Sequence, residues 1–396
     1  MTPARPAGQV ADGQAGPVAA AGREGGGSDG FDVAVCRDAE RFGLLGPAWA
    51  ELHRRCRTAT PFQSHSWLHS WWLSYGTPGC LRVVLVRRDG QLVAAAPLRL
   101  VRGPVPVLTG LGGTITDYSD VLVDDVAAGA ADALTGALGR LARTAVIDLR
   151  EVRPGAAAER VHAGWRGPRA RLADSTCLEL PALSIDRLVD RLPSSRAQRA
   201  RSKLRKLDRE GIEEHVVPPA EVPEALRRLL DLHQRQWQGR GVTAEHVSVR
   251  FAEHLERAVR PMVESGEAMV TEFRLAGDLV AADLTLLSPR LSGGYLYGAD
   301  PVLRARKVDV ATMLLRNGAR RSSASGRATL SLLRGDEPYK HHWRPETVGN
   351  QRLLMARPEL APALWLRVAH ARARGWAADR VRGRAWARRL RRGGGG

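Results

Sequence analysis

Two stretches of this chain distribute apolar and polar positions in the same way. Residues 83–100 read VVLVRRDGQLVAAAPLRL and residues 269–286 read MVTEFRLAGDLVAADLTL. In each, apolar runs flank a turn containing glycine, the pattern of a β-hairpin. The hexamer Gly90-Gln91-Leu92-Val93-Ala94-Ala95 matches Gly277-Asp278-Leu279-Val280-Ala281-Ala282 at five of six places. Helical spacing precedes each hairpin, over Ala48–Arg57 and Ser66–Ser74 in the first copy and over Pro223–Gln238 and Val249–Glu264 in the second. The pattern predicts either two duplicated α/β units of roughly 150 residues each or two hairpins that share a common turn by chance.

The second copy runs on into a short strand at Gly293–Gly298, a loop at Ala299–Arg306 and a helix over Val308–Arg321. In that helix Val310, Met313 and Leu314 fall on one face. A further strand at Ala328–Leu333 leads into Arg334-Gly335-Asp336-Glu337-Pro338-Tyr339-Lys340. A strand, a basic loop and a helix in that order can hold a phosphate at the helix N-terminus, where free amides and the helix dipole favour an anion. Arg304, Arg306 and Lys307 would supply charge, and the amides of Val310, Ala311 and Thr312 would supply directed donors. The other reading is a solvated basic turn in which Asp309 serves as the helix N-cap.

Composition narrows the class. Of 396 residues 44% are hydrophobic and 26% charged, which excludes a disordered or collagen-like chain. No stretch approaches the ~20 continuous apolar residues of a membrane-spanning helix. Residues 1–30 are rich in Gly, Ala and Pro and carry no apolar core of the signal-peptide kind, so they read as disordered and not exported. Cys36, Cys56, Cys80 and Cys177 lie far apart, which fits a reducing cytoplasm better than a disulfide framework. No HExxH or other metal spacing occurs, and no metal is expected.

The net charge is +18, and only Lys203, Lys206, Lys307 and Lys340 among 60 basic residues are lysine. The sign favours anionic partners. Residues 195–211, SRAQRARSKLRKLDREG, read as a helix with a Ser195/Gln198 capping box and a narrow apolar stripe of Ala197, Ala200, Leu204 and Leu207. This is either a solvated linker or a surface for an anion such as RNA or phospholipid. Residues 363–392 hold ten arginines and one acid, Asp379, with Trp365, Trp376 and Trp386 within about a quarter turn of one another at 100° per residue. A basic tail of this kind either stays disordered or lies on an acidic membrane.

Several strings together resemble a known family. They are the repeat itself, Pro61-Phe62-Gln63-Ser64 before a Trp-rich helix, and His233-Gln234-Arg235-Gln236-Trp237 with Arg240-Gly241. Above all there is Arg334-Gly335-Asp336-Glu337-Pro338-Tyr339-Lys340 with Trp343. The chain is similar, over roughly residues 31–357, to the GNAT-type acetyltransferases labelled cellulose-biosynthesis acetyltransferases. These are related to the peptidyltransferases that add amino acids to peptidoglycan precursors. The resemblance implies a mixed α/β fold of two tandem GNAT-like units. The segments would be a disordered 1–30, a first unit at 31–185, a basic connecting helix at 186–215, a second unit with the donor site at 216–358 and a basic tail at 359–396. It also implies acyl transfer from acetyl-CoA or another acyl-CoA to an amine. The superfamily's phosphate loop has the form Arg/Gln-x-x-Gly-x-Gly/Ala. Arg306-Lys307-Val308-Asp309-Val310-Ala311 departs from it, with Asp309 at the first glycine. A like charge there costs on the order of 1–4 kcal/mol near a surface.

Acyl transfer needs a neutral amine, a donor to the tetrahedral oxyanion and a proton for the leaving group. Asp336 or Glu337 would take a proton, Tyr339 would be the acid and Lys340 would steady the oxyanion; the alternative is a tight turn stapled by Asp336 and Lys340. Asp117 and Tyr118, Trp237, Asp283 and Tyr297 are candidates for holding the acceptor, each with a packing or pairing role as its alternative. The acceptor class is a small-molecule or cell-envelope precursor amine. The reading is then a cytoplasmic acyltransferase, peripheral at the inner membrane face if the tail binds it. The alternatives are an aminoacyl-tRNA-dependent transferase and a non-catalytic protein that binds anionic surfaces.

Overall fold

The computed structural model describes residues 30–237 and 244–376. The rest of the amino-terminal segment and residues 377–396 of the basic tail lie outside the described residues. The first half runs β1 (Phe31–Cys36), α1 (Ala39–Gly43), α2 (Gly46–Arg55), α3 (His65–Tyr75), β2 (Leu81–Arg88), β3 (Gln91–Val101), β4 (Val107–Gly110), β5 (Leu122–Val123), α4 (Ala130–Leu141), β6 (Val146–Val152), α5 (Ala157–Gly164) and β7 (Arg169–Pro181). The second runs α6 (Ile185–Asp190), α7 (Ser194–Glu210), β8 (Ile212–Val216), α8 (Val222–Trp237), α9 (Val249–Glu264), β9 (Ala268–Leu275), β10 (Asp278–Leu287), β11 (Leu291–Ala299), α10 (Pro301–Ala305), α11 (Val310–Ala324), β12 (Thr329–Arg334) and β13 (Glu346–Met355). A last helix, α12, covers 361–376.

Among the described residues the strands form one mixed sheet in the order β1-β2-β3-β4-β6-β13-β7-β12-β11-β10-β9-β8, with β5 beside β3. The order is a palindrome. Each outer strand of one half has its counterpart in the other, and β7 and β13 pair antiparallel at the centre. The strands are exchanged: β13 of the second half pairs with β6 of the first, and β7 of the first pairs with β12 of the second. The two halves are therefore not separated by a linker at 186–215. That segment holds α6, α7 and the start of β8, and α7 packs Ala197, Ala200 and Leu207 into the second half. Helix α7 begins at Ser194 behind Pro193 with no side-chain cap, so the Ser195/Gln198 capping box does not form.

The repeated hexamer has a structural meaning. In both copies the residue before the glycine also takes a left-handed conformation (Asp89 φ 51°, Gly90 φ 78°; Ala276 φ 52°, Gly277 φ 89°). This is the two-residue turn whose twist suits a hairpin. Just beyond it Arg87 faces Leu92 and Val86 faces Ala94, leaving Val93 as a bulge. Arg274 faces Leu279 and Phe273 faces Ala281, leaving Val280 in the same place. The helices before the hairpins, α3 and α9, meet across the centre. There the Ser70 hydroxyl donates to the His254 carbonyl at 2.8 Å, and the Trp67 and His254 rings lie 4.4 Å apart edge to face. Trp49, Trp67, Trp71 and Trp72 are buried in this core.

Helix α12 docks through Leu364 and Val368 against Val146, Leu354 and Ala356, with Trp365 and Leu366 exposed. Among the described residues no helix is long and apolar enough to cross a membrane.

Candidate active site

Strands β11 and β12 run parallel only from Leu291–Gly293 against Thr329–Ser331, and α11 makes the crossover between them. Beyond that point β12 bulges. Its pairing with β7 shifts between Ser331 and Arg334, and Leu333 is held at φ 58°, a conformation a bulky residue rarely takes. A side chain on Gly293 would meet Leu333 Cδ2 at 2.7 Å, so the glycine makes room for the bulge. Under α11 this leaves a cavity of about 120 Å³. Asp283, Thr285, Tyr297, Ser331, Tyr339 and Lys340 supply its polar edge; Leu314, Leu315, Leu330, Leu332 and Trp343 supply apolar walls.

The first copy is filled at the matching positions. The repeat places Ala96 and Leu98 where the second half has Asp283 and Thr285, and both are buried in a core with Leu134, Ala137 and Leu138 of α4. The polar pair Asp283 and Thr285 is thus a property of the second copy.

Asp283 is 5% exposed, and the Thr285 hydroxyl donates to its Oδ2 at 2.8 Å. Burial pushes its carboxyl up to about 6, and Thr285 offsets part of that. Burial also raises the phenols of Tyr297 and Tyr339, which keeps both protonated as hydrogen-bond donors. Lys340 is buried and engaged: it donates to the carbonyls of Arg334 (3.0 Å) and Gly335 (3.4 Å) and pairs with Glu337 at 2.8 Å. Asp336 is exposed and pairs with His341 at 2.5 Å.

The basic loop is arranged differently from a phosphate cradle. Asp309 Oδ1 accepts from the Thr312 amide at 2.8 Å and its Oδ2 from Lys203 Nζ of α7 at 2.7 Å. Against the burial that would raise it, these donors hold Asp309 below the ordinary carboxylate range. Arg306 is turned to Glu210, 2.8 Å away, which Lys206 also approaches at 3.4 Å. Arg304 and Lys307 are exposed, Val310 packs with the apolar side of α7, and Ala311 lines the cavity. One N-terminal amide of α11 is therefore bonded to a carboxylate of the chain itself, and that carboxylate sits where a diphosphate would bring its own charge. As they stand, these residues do not fit the diphosphate of a coenzyme A.

The cavity thus gathers Asp283, Tyr297, Tyr339, Lys340 and Ala311 of the sequence candidates. It does not gather Asp336, Glu337, Arg304, Arg306 or Lys307. The side chain of Trp237, at the end of α8, lies outside the described residues. Asp117 and Tyr118 are buried at the junction of the halves. Arg334 pairs with Asp117 at 3.2 Å and with Glu151 at 3.2 Å. The Tyr118 hydroxyl donates to Glu179 at 2.8 Å and meets Ser331 Oγ at 2.9 Å. Thr285 and Ser331 were not singled out in the sequence. Thr285 had a signal, since a period of two puts it on the face of Asp283. Ser331 had a weaker one, as the lone hydroxyl within the apolar run LSLL.

Comparison with known proteins bears on the fold. Residues 194–341 match the acetyltransferase (GNAT) domain family, so this part of the chain carries an acyltransferase domain of that type. Among solved structures the chain is similar to FemX, at 12% identity over 78% of this chain and 95% of that one with a TM-score of 0.58. It is similar to the C-terminal domain of a putative lysylphosphatidylglycerol synthetase from Agrobacterium fabrum, at 12% identity over 82% and 95% with a TM-score of 0.53. It is similar also to L-PGS from Bacillus licheniformis, at 12% identity over 81% and 92% with a TM-score of 0.50. No curated protein matches the chain.

Proposed function

We propose that the chain is an N-acyltransferase that binds its acceptor amine in the cavity under α11, with the nitrogen at Asp283. The observation that carries this is a carboxylate buried in a mostly apolar cavity, bonded by Thr285 alone among the polar groups around it. Such a group is suited to hold an ammonium and then take one of its protons. The neutral nitrogen attacks the acyl carbonyl, the C–N bond forms, and the bond from the acyl carbon to its carrier breaks. Tyr297 and Tyr339 line the same space and donate to the oxygen that gains charge.

For the donor, the reading best supported is an aminoacyl ester carried on tRNA, with acyl-CoA as its competitor. Asp309 already caps α11, as described above. Beside it α7 exposes Arg196, Arg199, Arg205 and Arg209, a surface suited to a polyphosphate backbone. Tyr339, which lines the cavity, is placed to give its proton to the alkoxide that an ester releases. The structural likeness to FemX and to lysylphosphatidylglycerol synthetase is in keeping with this choice. The acceptor in the cell would be an amine of a small molecule or an envelope precursor.

The test offers the purified chain n-butylamine as acceptor with either labelled aminoacyl-tRNA or labelled acetyl-CoA, and reads the amide by mass spectrometry. Amide from the charged tRNA alone, lost in Asp283→Asn, is the expected result. Amide from acetyl-CoA alone overturns the donor, and turnover unchanged by Asp283→Asn overturns the site.

A further inference from the structure

The cavity of the second half is completed by the first. We propose that Tyr118 is a positioning residue for the acceptor: it fixes the hydroxyl of Ser331 so that Ser331 presents a hydrogen-bond acceptor to the bound ammonium beside Asp283. This rests on the cavity being the amine site, as proposed above.

The hydroxyl hydrogens along this chain of contacts fix the direction of each bond. Glu179 is 6% exposed and is gripped by Arg153 through two bonds, Nε to Oε1 at 2.8 Å and Nη2 to Oε2 at 2.6 Å. A carboxylate gripped in this way by a guanidinium accepts hydrogen bonds and donates none. Tyr118, fully buried, has one hydroxyl hydrogen, and the carboxylate 2.8 Å away takes it. Its contact with Ser331 at 2.9 Å must then run the other way, with Ser331 donating to the phenolic oxygen. Ser331 has one hydrogen and two lone pairs. The hydrogen is committed to Tyr118, and one lone pair accepts the Leu333 amide at 3.0 Å, an amide delivered by the left-handed bulge. Ser331 lines the cavity, and its remaining lone pair is the one left for a ligand there. Without Tyr118 the hydroxyl of Ser331 is free to turn its hydrogen into the cavity, where it would oppose a cation.

Tyr118 is itself held still. Its carbonyl accepts Gln63 Nε2 at 2.8 Å, and its ring lies edge-on to Phe62 at 6.3 Å. Arg153, Glu179 and Tyr118 all come from the first half. The chain Arg153–Glu179–Tyr118–Ser331 therefore carries a fixed polarity from one half into the site of the other. Networks of this kind act as a unit.

Calorimetric titration of the full chain with n-butylamine at pH 7.5 tests it, using Tyr118→Phe, Ser331→Ala, the double variant and Asp283→Asn. Tyr118→Phe and Ser331→Ala are each expected to weaken binding by about tenfold, the scale of a hydrogen bond to a charged group. The double variant is expected to bind no more weakly than Ser331→Ala alone, because Tyr118 acts only through Ser331. Losses that add in the double variant, or affinity within twofold of wild type in Tyr118→Phe, overturn the proposal while the amine site stands. Failure of the wild type to bind, or binding untouched by Asp283→Asn, removes the amine site and the proposal with it. Should Tyr118→Phe not fold, Glu179→Gln takes its place: it removes the charge that orients the phenol, and its loss must likewise vanish in the Ser331→Ala background.

Discussion

Asp283 shows how a site residue trades stability for chemistry. Its carboxyl lies near 6 in the folded chain against about 3.9 in an unfolded one. Such a group contributes stability below the unfolded value and loses it as pH rises through the folded one. At pH 7.5 the buried charge costs up to about 3 kcal/mol by the size of that shift. Asp283→Asn is therefore expected to unfold at higher urea than wild type at pH 7.5, with the gap closing by about pH 4. Parallel urea titrations at the two pH values check this, and a gap independent of pH would show that the fold does not shift the Asp283 carboxyl. Asp309 gives the converse case. Asp309→Gly removes the carboxylate from the head of α11, at a cost of a few tenths of a kcal/mol for the cap and about 0–1 kcal/mol for the Lys203 pair. Affinity for coenzyme A is expected to rise at least about fivefold, from the loss of a like charge; calorimetry reporting weaker binding would end the repulsion argument. Both aspartates were visible in the sequence as carboxylates in unusual company. Which neighbour each one met was not, because Lys203 lies more than a hundred residues from Asp309.

At the scale of elements, the hairpins were legible and their reason was local. A left-handed glycine and a bulged valine need the same short string wherever they occur, and the repeated hexamer supplies both. The copies are not equally suited to it. The first has Asp-Gly at the turn, and the second has Ala276 at φ 52°, a conformation that costs an alanine roughly 1–2 kcal/mol. Ala276→Asn, at an exposed position, is expected to stabilise the chain by about 0.5–1 kcal/mol. A melting temperature that stays put would mean the turn relaxes at no cost. Helix α11 was legible too, from its apolar face and Asp309. The bulge at Leu333 was not, since LSLL reads as an ordinary strand. The positive φ there is imposed by packing against Gly293 and by pairing with β7, both distant in the chain.

At the scale of the molecule, the palindromic sheet decides what can be separated. The sequence suggested two units with a basic linker. The exchange of β7 and β13 escaped it because each strand's apolar pattern is satisfied equally well by either half. A fragment of residues 31–185 lacks β13 and leaves β6 with an open edge, a template for aggregation. It is expected to be insoluble or to lack near-ultraviolet circular dichroism. A cooperative urea transition from that fragment alone would show that the exchange is dispensable.

The same exchange sets a schedule for synthesis. The sheet of the amino-terminal half waits for a strand that ends at Met355, so β6 stays unpaired on that side until nearly all the described chain has left the ribosome. A nascent chain stalled near residue 340 would hold an unfinished edge in the cell, and chaperone dependence should fall steeply once translation passes that last strand.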